Sequence, residues 1–118
     1  LFALTLFLGV FGAEGALAHH SFAMFDNTKP MTLRGVVREF QWTNPHSWIQ
    51  LTVPRDGGGA DEWSIELKSP GGLLRRGWKF NSLKPGDNIT LTIAPLKDGS
   101  HGGSLNKIIL QSGEELSD

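Results

Sequence analysis

The amino-acid sequence predicts an all-β domain, a small barrel of five strands with one short helix inserted after the third. Three observations predict it. Apolar and polar residues alternate along several short runs, which is the period of strands and not of helices. Clusters of Gly, Pro, Asn and Asp separate the runs and punctuate turns. One segment alone, Ser69-Pro70 through Arg75-Arg76-Gly77, carries the start and stop signals of a helix. The chain has 118 residues, four Trp and seven Phe, enough for one packed domain and too short for a second.

The chain opens on an apolar run with no charge until Glu14, then reads Ala16-Leu17-Ala18, the small-x-small pattern that a signal peptidase accepts. The run is shorter than the ~20 residues needed to cross a bilayer as a helix. Residues 1–18 are therefore expected to be a cleaved export leader and residues 19–118 the folded domain. Cleavage removes one acid and no base, leaving the charges of the domain balanced.

Within the domain, Met31 to Phe40, rich in Thr, Leu and Val, is the first expected strand, with Gly35 at a place for a bend or bulge. Trp42-Thr43-Asn44-Pro45 is a turn, because Asn favours it and Pro restricts the backbone. His46 to Val53 is the second strand, with Ile49, Leu51 and Val53 on one face and His46, Trp48, Gln50 and Thr52 on the other. Asp56 and three glycines close a hairpin onto the third strand, Asp61 to Lys68, whose Trp63, Ile65 and Leu67 face inward. Ser69 is a good N-cap, Pro70 suits the first helical position and Gly77 the position after the end, which frames one short helix. Asn88 to Leu96 is the fourth strand, Lys97 to Gly103 a glycine-rich loop, and Ser104 to Gln111 the fifth strand. The polar tail, Ser112 to Asp118, is expected to fray. The order β-β-β-α-β-β is that of a Greek-key barrel of the oligonucleotide/oligosaccharide-binding (OB) kind. An immunoglobulin-like sandwich would want about seven strands.

Composition narrows the function. Eleven basic and twelve acidic residues give a net charge of −1, from which no nucleic-acid partner is expected. Without cysteine there is no disulfide, thiolate metal site or cysteine nucleophile.

Two stretches, His19-His20-Ser21-Phe22-Ala23-Met24-Phe25-Asp26 and Glu39-Phe40-Gln41-Trp42-Thr43-Asn44-Pro45-His46-Ser47-Trp48, resemble an exported bacterial family catalogued as "domain of unknown function 6152". Ser69-Pro70, Arg76-Gly77-Trp78 and Leu83-Lys84-Pro85-Gly86-Asp87 resemble the same family's second half. The resemblance spans the domain after the leader and implies a periplasmic protein. It implies no activity and no catalytic residues.

Chemistry is therefore sought in the side chains. Cleavage after Ala18 would leave His19 at the N-terminus, where a free α-amine and its own imidazole can chelate one metal ion. Nitrogen-rich tetragonal sites favour Cu(II), and the amine, with a pKa of about 7.7–8.0, loses its proton readily near neutrality. His20 follows, and Met24 offers a thioether to Cu(I). His46 and His101 flank the two loops that border the ligand-binding face of this barrel type, so they are candidates to join the set. Trp42, Trp48 and Gln50 are the candidate binding face, with Trp48 the Trp expected to be most exposed. The carboxylates form no pair at glycosidase spacing, and no serine has a nucleophile-elbow context. The expectation is a periplasmic binding or accessory protein, not an enzyme, taking copper through His19, His20, His46 and His101 and having no membrane span once cleaved. The alternative is an interaction module that docks a protein or envelope component through its Trp-bearing face.

Overall fold

In a computed structural model, which describes residues 22–118, the five alternating runs and part of the polar tail become six strands of one sheet. They are β1 (Met31–Gln41), β2 (Ser47–Pro54), β3 (Ala60–Leu67), β4 (Asn88–Pro95), β5 (Gly102–Ile109) and β6 (Glu115–Ser117). Helix α1 (Pro70–Leu74) lies between β3 and β4. The strands pair in the order β3-β2-β1-β4-β5-β6, and a parallel pairing of β3 with β5 closes the first five into a barrel. This is the expected Greek-key closure, with the helix where the sequence puts it. Among the described residues no helix is long and apolar enough to cross a membrane.

Alternation explains the interior. β2 sends Ile49 and Leu51 inward, β3 sends Ile65 and Leu67, and β4 sends Ile89, Leu91 and Ile93, all buried. Leu33 and Val37 of β1 and Leu105 and Ile108 of β5 complete the lining. Leu73 of α1 and Trp78 plug the barrel between β3 and β4, at 0% and 1% exposure. Ser69 Oγ accepts the Gly72 N–H, and Pro70 stands in the first turn. The helix is shorter than its start and stop signals suggest. It ends at Leu74, and the Trp78 N–H returns to the Leu73 carbonyl around Gly77, whose φ of 88° suits glycine.

Three expectations change. The bulge in β1 falls between Val37 and Glu39, not at Gly35. Gly35 serves close approach instead, since a Cβ there would lie 2.5 Å from the Thr52 carbonyl oxygen of β2. β5 begins at Gly102, two residues before the expected start. The tail does not fray: β6 pairs with β5, buries Leu116, and its Ser117 carbonyl accepts the Trp78 indole N–H at 2.9 Å. The Asp118 carboxylate accepts the Lys68 backbone N–H at 2.7 Å and pairs with its ammonium at 3.2 Å, tying the tail to the end of β3.

Candidate functional site

His46 closes the β1–β2 turn, where the Thr43 hydroxyl donates to the His46 carbonyl at 2.7 Å. The Asn44–Pro45 peptide in this turn is cis. The imidazole reaches across to the end of β3. Its Nδ1 lies 3.2 Å from the Leu67 carbonyl oxygen and 3.5 Å from Glu66 Oε1. Both neighbours only accept, so a proton on Nδ1 serves them, and in the neutral ring this leaves the lone pair on Nε2. This is how second-shell acceptors orient a metal-binding histidine. The ring is 43% exposed and the Glu66 side chain 16%.

The pair stands in a pocket of about 220 Å³ whose other walls include Phe25, Lys68, Ser104 and Asp118. Phe25 arrives there because the segment before β1 is fastened to the end of β4. After a short 3₁₀ turn (Phe22–Met24), Phe25 bridges to Leu96, the Asp26 N–H donates to the Pro95 carbonyl and the Lys97 N–H to the Met24 carbonyl. Thr28 secures the next turn through hydroxyl and backbone hydrogen bonds to Asp26. These bonds, the hydroxyl's first, hold the Asp26 carboxyl below its usual range. A second, larger groove of about 380 Å³ along Arg34–Val36 of β1 and the start of β4, bordered by Arg34, Asn88 and Gln111, contains no histidine or carboxylate.

The expected site residues do not all converge. His101 does not approach His46. Its ring stacks on Trp63, centroids 4.7 Å apart and 18° from parallel, three residues along β3 from Glu66. Asp98 holds that loop in place by accepting the Ser100 hydroxyl and backbone N–H, and these two bonds lower its carboxyl pKa. Trp42 leaves the expected binding face as well. It turns toward the core and meets Phe40 edge-on at 5.7 Å, while Trp48 and Gln50 stay on the outer face. There the Gln50 amide donates to Gln41 at 2.9 Å, and Trp48 lies between Gln41 and Glu66 in the strand register. His19 and His20 lie outside the described residues, as does the expected leader. Among the described residues no three histidines or carboxylates gather to hold a metal ion by themselves. The sequence alone singles out neither Glu66 nor Asp118, the latter lying in the tail expected to fray. The β2–β3 register brings Glu66 beside His46, and the pairing of β5 with β3 and β6 brings Asp118 there.

A closed five-stranded barrel with one helix between β3 and β4, bearing a histidine–carboxylate pocket at the mouth of its first loop, defines the chain as an OB-like β-barrel. The chain belongs to the family of unknown function DUF6152, whose model matches residues 9–106. The match takes in part of the expected leader and stops within β5, short of β6. A search of the curated proteins found no match. Among solved structures it is similar to Rim1, a mitochondrial single-stranded DNA binding protein of S. cerevisiae, with TM-score 0.51 and 13% identity over 70% of this chain and 93% of that one. A selenomethionine-labelled crystal of Rim1 gives TM-score 0.44 and 14% identity over 73% and 93%.

The first of these corrects one expectation. Near-neutral charge predicts no nucleic-acid partner, yet a single-stranded DNA binding protein shares this fold. The inference failed because net charge is a sum over the chain. Between Glu66 and Asp87 the sequence holds Lys68, Arg75, Arg76, Lys79 and Lys84 and no acid, while the balancing carboxylates lie elsewhere. A whole-chain sum is blind to such separation.

Proposed function

We propose that the protein is an exported binding or accessory protein that holds a transition-metal ion, copper by preference, between its processed N-terminus and His46. The observation that carries this reading is that Phe25 and His46 wall the same pocket. Phe25 therefore brings the start of the described chain beside His46, and the five steps from His20 to Phe25, with the 3₁₀ turn at about 2 Å per residue and the rest extended, span up to about 13 Å. His19 would supply its amine and imidazole, His46 its Nε2, and Glu66 a carboxylate within the same pocket. Met24, half exposed, is accessible as a thioether for Cu(I). His101 has no part in this set, since Trp63 occupies it.

Copper titration of the processed chain tests the reading. His19→Ala and His46→Ala are each expected to weaken binding at least tenfold, and His101→Ala to leave it unchanged. Equal affinity in all four proteins would contradict it. A second reading has its own support: Trp48 and the Gln41–Gln50 pair form an outward platform suited to docking a protein or envelope component. Loss of a captured partner in Trp48→Ala, with copper affinity intact, would favour it.

A further inference from the structure

The segment after α1 is built as a rigid platform that presents apolar and cationic side chains together. Leu73 and Trp78 point inward and are buried, and the Gly77 turn ties them to each other. Leu74 and Phe80, on either side, are 58% and 70% exposed. Phe80 does not hang on a loose loop. The Lys79 N–H donates to Ser82 Oγ and the Ser82 N–H to the Lys79 carbonyl, closing a turn with Phe80 at its tip. Arg75, Arg76 and Lys79 are exposed between these two side chains, and among the described residues none of them lies in an ion pair.

An exposed Phe at the tip of a hydrogen-bonded turn, beside an exposed Leu and three free cations, is unfavourable in water and complementary to one kind of surface. We propose that residues 74–80 dock on an anionic phospholipid bilayer, Leu74 and Phe80 entering the headgroup boundary while Arg75, Arg76 and Lys79 meet lipid phosphates. Charge complementarity selects this occupant. The stretch between Glu66 and Asp87 carries no acid, and with Lys68 paired to Asp118 it presents Arg75, Arg76, Lys79 and Lys84 outside any ion pair among the described residues, whereas the other cations of residues 22–118, Lys68 included, number seven against eleven carboxylates. A negative surface therefore attracts this end and repels the remainder, which fixes the orientation. Leu74 favours lipid over single-stranded nucleic acid, whose bases call for aromatic platforms. The surface is separate from the His46 pocket, so either proposal can fail without the other.

The chain has no cysteine, so an environment-sensitive fluorophore can be placed at one position. A label on Asn81→Cys reports this surface alone, whatever residues 1–18 do in the full chain. Ala60→Cys, at the far end of β3, is the control. Vesicles of phosphatidylcholine with phosphatidylglycerol are expected to blue-shift the label at residue 81 and not at residue 60, with no response to phosphatidylcholine alone. Each cation near an anionic surface contributes about fivefold to partitioning, so Arg75→Gln, Arg76→Gln and Lys79→Gln together should weaken it about 100-fold. Phe80→Ser should weaken it about tenfold with the melting curve unchanged. Salt titration of the unsubstituted platform gives the same electrostatic test should the triple variant fail to fold. No shift at residue 81, an equal shift at residue 60, or binding insensitive to both salt and Phe80→Ser would overturn the proposal. A response to a single-stranded oligonucleotide but to no vesicle would also overturn it, reassigning the surface to nucleic acid.

Discussion

The C-terminal strand is a structural clasp, and Trp78 measures it. Trp78→Phe keeps an aromatic ring in the plug but loses the 2.9 Å hydrogen bond to the Ser117 carbonyl, worth about 1 kcal/mol. The smaller ring leaves part of a fully buried site empty beside Phe40, whose ring centroid lies 6.0 Å away, adding about 1 kcal/mol. The total expected cost is about 2 kcal/mol. Removing residues 115–118 deletes buried Leu116, the three ladder pairs of β6 and the Asp118 cap on Lys68, a loss of about 3 kcal/mol. In that shortened background the indole has no Ser117 carbonyl to meet, so Trp78→Phe should cost only about 1 kcal/mol. Urea denaturation of the four proteins, followed by far-ultraviolet circular dichroism, gives the cycle. A coupling of about 1 kcal/mol is expected. Strict additivity, or a cost below 0.5 kcal/mol for Trp78→Phe in the full chain, would refute the assignment of β6 as a clasp.

Other perturbations report on separate parts of the barrel. Gly103→Val should destabilise by about 3 kcal/mol in the same denaturation assay, because even a Cβ there would lie 2.6 Å from the Ala94 carbonyl oxygen. His101→Ala should uncover Trp63, moving its emission to the red and costing about 0.5–1 kcal/mol. The folded-state pKa values of Asp26 and Asp98 lie below the ordinary carboxylate value of 3.8. Their stabilising contribution is therefore complete above that value and lost as pH falls through the lower folded-state values. Asp98→Asn should flatten the acid limb of a stability–pH profile, and an unchanged limb would count against the Ser100 hydrogen bonds as the cause.

The barrel itself was legible because its strands obey period two with strong β-formers. Ile49-Gln50-Leu51 and Ile89-Thr90-Leu91-Thr92-Ile93 need only be read at alternate positions to give the lining. β6 was hidden for the opposite reason. Three residues with one apolar member, Leu116, show no period, and their strand character comes from pairing with β5. Gly102 and Gly103 read as loop because glycine is poor in strands. Their bare backbones are what let β5 fit between β3 and β4, a requirement visible only once the barrel is closed. At the site, His46 was legible from its place after the turn, but Glu66 and Asp118 were not, since register and barrel closure bring them to it. His101 misled because two loops at one end of a barrel need not bring their histidines together. Trp63 offers a flat apolar face nearer at hand. The cationic platform was concealed by arithmetic, a near-zero total composed of two unlike regions.

The central claim is that processing creates a metal chelate completed by His46. The most direct measurement is metal analysis and intact mass of the protein purified without an affinity tag from the cell envelope of cells supplied with copper. The expected result is a chain beginning at His19 with stoichiometric copper, lost in His46→Ala prepared in parallel. A chain that retains residues 1–18, is blocked at the His19 amine, or comes through copper supply without metal would contradict it.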